Sequence, residues 1–449
     1  MVEEAELGTS IDPQARQAAL GWLKVGIGAL ALAGLFAILL VLARMPGMEG
    51  LFPGQDFFRV ALVVHVDLSV LVWFLAFAGV VWSLTARPAS RSGGRALALN
   101  TATLGCILAA LAPFLASGEP LLSNYVPVLR QPWFLGGLGI FAVGVLIQVV
   151  WYLAHGGRPR LDQPLALGAL TLALAALVSA GALVWSWARL AEVWQGQAYF
   201  EYLFWGSGHA LQFLYTQLLL VAWLAIAQAT GVPLALGARG QGGLILLGAA
   251  PLLLVPLIQI GYAPDSAEAR VAFTELMRYG GGLGVVPLGL LLLWGLARRP
   301  PHQDPALLPA YRALLVSLGL FGAGGLLAWL IGGVNTLIPA HYHGSIVGVT
   351  LALMGLSYLL LPRLGYPLPS GSMARWQPLV YGAGQLLHIS GLALSGALGI
   401  QRKTAGLAQG LDGWAAKGAM GIMGLGGLLA VLGGLMFVIV AIRALSRRP

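Results

Sequence analysis

The chain has 449 residues, of which 58% are hydrophobic and 9% charged, whereas a soluble globular chain carries about a quarter charged residues. The composition is that of an integral membrane protein, so the formal charge of +9 reflects basic cytoplasmic loops and nucleic acid is not expected as a partner. Cys106 is the single cysteine, which excludes intrachain disulfides, thiolate clusters, a CxxCH haem attachment and a two-cysteine copper site.

Val2 to Ala19 is polar and acidic before the first apolar run, so no cleavable signal is expected there. A membrane-spanning helix needs about 20 apolar residues at 1.5 Å each. Twelve such runs follow, at 20–44, 57–84, 96–117, 133–154, 164–188, 200–229, 242–262, 271–297, 311–334, 338–361, 376–400 and 418–442. They predict an all-α, integral membrane, twelve-helix bundle forming a single transmembrane domain over 1–449. With an even number of spans both termini share a side. Placing them in the cytoplasm gives that side about twice as many arginines and lysines as the outer side, the bias expected of inward-facing loops. The 63 glycines suit close helix packing in lipid.

The seven histidines carry the chemistry. His155 and His302 fall in predicted cytoplasmic loops beside arginines and prolines, where a solvated side chain is the plain expectation. His65, His209, His341, His343 and His388 fall within predicted spans, where an ionisable group is costly and suggests function. His65 and His209 sit eight and nine residues in from the outer ends of their helices, about 12–14 Å at helical rise. His341 and His343 also lie near an outer end. Four imidazoles from three helices at one depth are what a row of metal or haem sites requires. Residues i and i+2 point about 200° apart on a helix, so His341 and His343 face opposite sides and one helix can ligate two haems. Two axial histidines make a low-spin electron-transfer haem; a single one leaves the sixth position open for a gas.

These features resemble subunit I of the haem-copper oxidase superfamily, which includes cytochrome c oxidases and nitric oxide reductases, across all twelve spans. The resemblance is carried by VVHVDLSVLVWF in the second span, FWGSGHALQFLYTQ in the sixth and AHYHG in the tenth, together with NYVPVLRQPWF before the fourth and GIQRKTAG after the eleventh. It implies that His65 and His343 ligate a low-spin haem, that His341 is the proximal ligand of a high-spin five-coordinate haem, and that His209 serves a second metal, copper or non-haem iron. Arg402 and Lys403 then stand where a basic pair holds haem propionates. It further implies electrons from a companion subunit carrying a c-type haem or copper, and the cytoplasmic membrane of a prokaryote as the location.

The pattern departs at the second metal. The superfamily places two adjacent histidines at the outer end of the seventh span, where this chain reads PLIQIGYAPD with Gln259 and Ile260 at those positions. An amide oxygen is a weak ligand for copper and isoleucine is none, so a tight metal site on His209 alone is physically implausible. The tyrosine that oxidases keep beside this metal is also missing, Phe213 standing four residues after His209. Three functions from different classes follow: an enzyme reducing oxygen or nitric oxide at the haem of His341; a non-catalytic haem subunit that transfers electrons or senses a gas; and an assembly or structural homologue. The first is the leading expectation. Among other polar residues, Asp67 is expected to point away from His65, Glu201 to touch the membrane interface, Arg278 to pair with Glu275, and Tyr342 and His388 to pack.

Overall fold

A computed structural model describes residues 11–48, 55–87, 93–298 and 304–447; His302 lies outside them. In hydrocarbon every backbone N–H and C=O must be satisfied within its own segment, which leaves helices for the apolar runs. Among the described residues there are twelve long ones: α1 (Pro13–Arg44), α2 (Asp56–Thr85), α3 (Gly93–Leu115), α4 (Pro132–His155), α5 (Pro164–Arg189), α6 (Gly196–Ala229), α7 (Ala238–Gly261), α8 (Ala267–Arg298), α9 (Leu308–Ala328), α10 (Leu337–Arg363), α11 (Ser372–Ala397) and α12 (Gly413–Ser446). Eleven are long and apolar enough to cross a membrane. The remaining one, α11, carries Gln377, Gln385, His388 and Ser390 among its apolar residues, which lowers its hydropathy, and of these Gln377 and His388 are buried.

The helices follow the predicted spans, with departures that have local causes. α9 stops at Ala328, short of the expected 334, because the glycines 332 and 333 lead into a turn at Asn335. Within α7 a 3₁₀ turn covers Ala250–Leu253, at Pro251, whose missing N–H breaks the helical ladder. α8 is two helices, Ala267–Gly280 and Val285–Arg298, separated at the glycine-rich stretch 280–284. A π-helical segment, Asp67–Val72, begins two residues after His65 in α2. Such segments are single-turn bulges found frequently at functional sites.

The chain packs as two compact units. One takes the described residues within Met1–Gly26 and Leu71–Pro301, the other those within Ile27–Val70 and His302–Pro449. In the first, α3 crosses α4 so closely that a Cβ at Gly105, Gly137 or Gly144 would collide with the backbone of the facing helix. The same device joins α11 to α12 in the second unit, through Gly384, Gly391, Gly426 and Gly433. Small residues let backbones approach in lipid, where packing rather than water exclusion holds helices together.

Between α3 and α4 the first unit carries a short antiparallel hairpin that periodicity did not predict, β1 (Glu119–Leu121) with β2 (Val128–Arg130). Its open end is closed by an exposed Arg130–Glu119 ion pair of 2.6 Å. The tip of this hairpin supplies part of the site described next.

Candidate functional site

In the second unit, one turn of α10 presents two histidines to different neighbours. His341 uses Nδ1 to donate to the carbonyl of Gly324 in α9, 2.8 Å away. His343 packs its ring edge against His388 of α11, with centroids 4.9 Å apart and planes at 67°. The opposed directions expected of an H-x-H pair are therefore present. His65 of α2 donates from Nδ1 to the carbonyl of Ala33 in α1 at 2.9 Å, and His388 does the same to Met423 of α12 at 2.9 Å. A carbonyl only accepts, so these bonds fix the Nδ1–H tautomer and leave the Nε2 lone pair without a partner among the described residues. A carbonyl that accepts from the far ring nitrogen in this way orients the imidazole of a metal-ligating histidine. His65, His343, His388 and Arg44 are close enough to interact electrostatically.

Arg44, at the last turn of α1, has Nε and Nη2 buried without an acceptor among the described residues, and its charge and that of Arg402 are near enough to act on Tyr342. Two buried guanidinium nitrogens without an acceptor are costly, and a carboxylate such as a haem propionate would satisfy them by paired charge-assisted hydrogen bonds. The residues of this unit thus fit haem: imidazoles with Nε2 free, and a cation in want of an anion. Arg402 and Lys403 stand in the turn after α11, Lys403 with a left-handed φ of 61°. Asp67, 2% exposed, finds no donor for either carboxylate oxygen among the described residues. His388 is packed and hydrogen-bonded, as expected.

In the first unit His209 is arranged differently. Its Nδ1 donates to the carbonyl of Trp205 one turn earlier in α6, at 2.7 Å, and its Nε2 accepts from the hydroxyl of Tyr125, at 2.8 Å. Both ring nitrogens are engaged. Tyr125, Trp205 and Phe273 surround the imidazole, with ring centroids 4.6, 5.0 and 5.5 Å from it. Tyr125 stands at the hairpin tip, and Glu201 of α6 clasps its neighbour Asn124, accepting from the backbone N–H at 3.0 Å and from the side-chain amide. Glu201 therefore anchors the hairpin rather than merely meeting the interface. Gly208 is required here, since a Cβ would overlap the Tyr125 ring.

Gln259 gives its amide N–H to the carbonyl of Ala182 at 3.0 Å, and Ile260 is 69% exposed. Among the described residues no group of three His, Cys, Asp or Glu side chains is placed to hold a metal. The residues present do not fit a second metal ion. Of the remaining expectations, Arg278 does pair with Glu275 at 2.7 Å, whereas His155 ends α4 and stacks on Trp151 with centroids 4.5 Å apart instead of standing free in a loop. The functional candidates that sequence reasoning missed are Arg44, at the outer end of the first predicted span, and Tyr125, noticed only as part of NYVPVLRQPWF. The signal that points to Tyr125 is Gly208, immediately before His209 on α6, where a Cβ would meet the Tyr125 ring.

No family model matches the sequence. In fold the chain is similar to a solved heme-copper terminal oxidase dimer, at a TM-score of 0.73 and 17% identity, over 97% of this chain and 85% of that one. Its class is thus an all-α integral membrane bundle with the fold of haem-copper oxidase subunit I. In sequence it is 31% identical to the uncharacterized protein RP382 of Rickettsia prowazekii over 93% of this chain and 94% of that protein. It is 28% identical to an uncharacterized protein of Aquifex aeolicus, over 80% and 88%. The chain belongs to the family of the Rickettsia protein RP382, and these relatives are bacterial.

Proposed function

We propose that the protein is a di-haem membrane oxidoreductase that handles a diatomic gas, oxygen or nitric oxide, at a haem held by His341. The observation that carries this reading is the single turn of α10 that turns His341 toward α9 and His343 toward α11, so that one helix serves two haems. His65 and His343 would hold the low-spin haem and Arg44 with Arg402 and Lys403 would meet its propionates, while the carbonyls of Gly324 and Ala33 orient the imidazoles of His341 and His65. Haem bound in this way supplies one-electron redox chemistry and, on a single histidine, an open position for a gas. Electrons enter from a companion subunit carrying a c-type haem or copper at the outer face, since this chain has a single cysteine and no attachment motif. The location we propose is the bacterial cytoplasmic membrane, with both termini inside.

The test is the haem content of the purified chain and its consumption of oxygen or nitric oxide with a reduced donor and the companion subunit present. Two haems per chain, one low-spin and one high-spin, with turnover of either gas, are expected. One haem or none defeats the reading. A second reading, electron transfer or gas sensing without turnover, is favoured by the engagement of both nitrogens of His209. Two haems with no gas consumption would establish it.

A further inference from the structure

We infer that Tyr125 and His209 form a standing phenol–imidazole pair in place of a second metal centre, so that the described residues around His209 hold no metal ion beside the haem. The inference deepens the proposed function without depending on gas turnover. Metal content and the state of one tyrosine test it, whereas haem content and gas consumption test the other.

The lone pair decides the matter. A neutral imidazole has one nitrogen that donates and one that accepts. In His209 the donor is spent on the Trp205 carbonyl and the acceptor on the Tyr125 hydroxyl. A metal at Nε2 has to displace Tyr125, and nothing nearby repays that displacement. Gln259 is held by Ala182, Ile260 has no donor atom, and the other rings against His209 belong to Trp205 and Phe273. One imidazole among aromatic carbons is far from the three or four ligands by which proteins hold copper, zinc or iron.

The pair is built into the surroundings. Tyr125 reaches α6 because position 208 has no Cβ, and Phe273 closes on the helix where position 206 has none. The hairpin that carries Tyr125 is pinned through Asn124 to Glu201, and Ser123 donates to the carbonyl of Val126 across the tip. Tyr125 also packs edge-on to Trp205, at 5.6 Å and 84°. Two glycines, a carboxylate clasp and an edge-to-face ring contact all serve one hydrogen bond. A half-buried phenol and a buried imidazole that satisfy each other carry no desolvation penalty for an unmade bond.

The experiment uses the full-length, haem-loaded chain from cells grown with ample copper and iron. Elemental analysis is set against haem content, and ultraviolet resonance Raman difference spectra between the wild type and Tyr125→Phe isolate the ring doublet of Tyr125, whose intensity ratio tells a donating phenol from an accepting one. We expect no copper, zinc or non-haem iron in proportion to the chain. We also expect a donor signature for Tyr125 that is lost in His209→Phe and returns in His209→Gln, whose amide oxygen again accepts. A further metal ion stoichiometric with the chain and absent from His209→Phe overturns the inference, as does a Tyr125 signature indifferent to position 209. Should the His209 variants fail to accumulate, the metal content of the wild type decides by itself.

Discussion

The histidines of the two units are used in opposite ways. In the second unit His65, His341 and His388 each tie Nδ1 to a carbonyl of another helix and, among the described residues, leave Nε2 unpartnered and two buried nitrogens of the Arg44 guanidinium without an acceptor. In the first, His209 binds its own helix through Nδ1 and a phenol through Nε2, and its surroundings are complete. Unsatisfied polarity inside a bundle is expensive unless something arrives to satisfy it. The difference separates imidazoles left open to a ligand from one closed by its own side chains.

The contrast breaks most visibly at the ligands themselves. His65→Ala is expected to abolish the low-spin spectrum while leaving the high-spin one, and His341→Ala to do the reverse, because each haem keeps its other contacts. Optical and electron paramagnetic resonance spectra of the two variants check this, and loss of both signals in either variant means that the ligands are paired otherwise.

A smaller effect sharpens the reading of Arg44. Replacing it with methionine removes a positive charge that favours the reduced, less positive haem, so the low-spin midpoint potential is expected to fall. A charge effect of about 1.4 kcal/mol corresponds to about 59 mV in a one-electron couple. Potentiometric titration measures the shift, and an unchanged or raised potential separates Arg44 from the haem.

The smallest change concerns the clasp. Glu201→Gln keeps an acceptor for Asn124 but loses its charge, and at an exposed position this is worth about 0.5–1 kcal/mol. Faster hydrogen exchange at the hairpin tip, with haem spectra unaltered, is the expected result. Altered haem spectra would show that the hairpin serves the haem site as well.

Much of this was readable in the chain. Twelve apolar runs and their punctuation gave helices whose ends shift by a few residues, and the H-x-H spacing predicted the two directions that His341 and His343 take. Gln259 and Ile260 already made a metal on His209 chemically poor. Arg44 was not readable as a site residue, because the local rule for an arginine at a span end is snorkelling to the interface, and only the fold of the second unit turns its nitrogens inward. Tyr125 stands 84 residues before His209, in a gap too short and irregular for any periodicity to register as strands.

The sequence by itself determined that this is a membrane bundle, where its helices run, and which histidines are candidates, since hydropathy, helical rise and angular spacing are properties of local chain geometry. Tertiary structure alone decided which ring nitrogens remain free. That choice depends on whether the carbonyl of Gly324, the carbonyl of Ala33 or the hydroxyl of Tyr125 comes within about 3 Å of an imidazole, and such meetings between distant segments are set by how glycine-lined helices pack and leave no periodic trace in the chain.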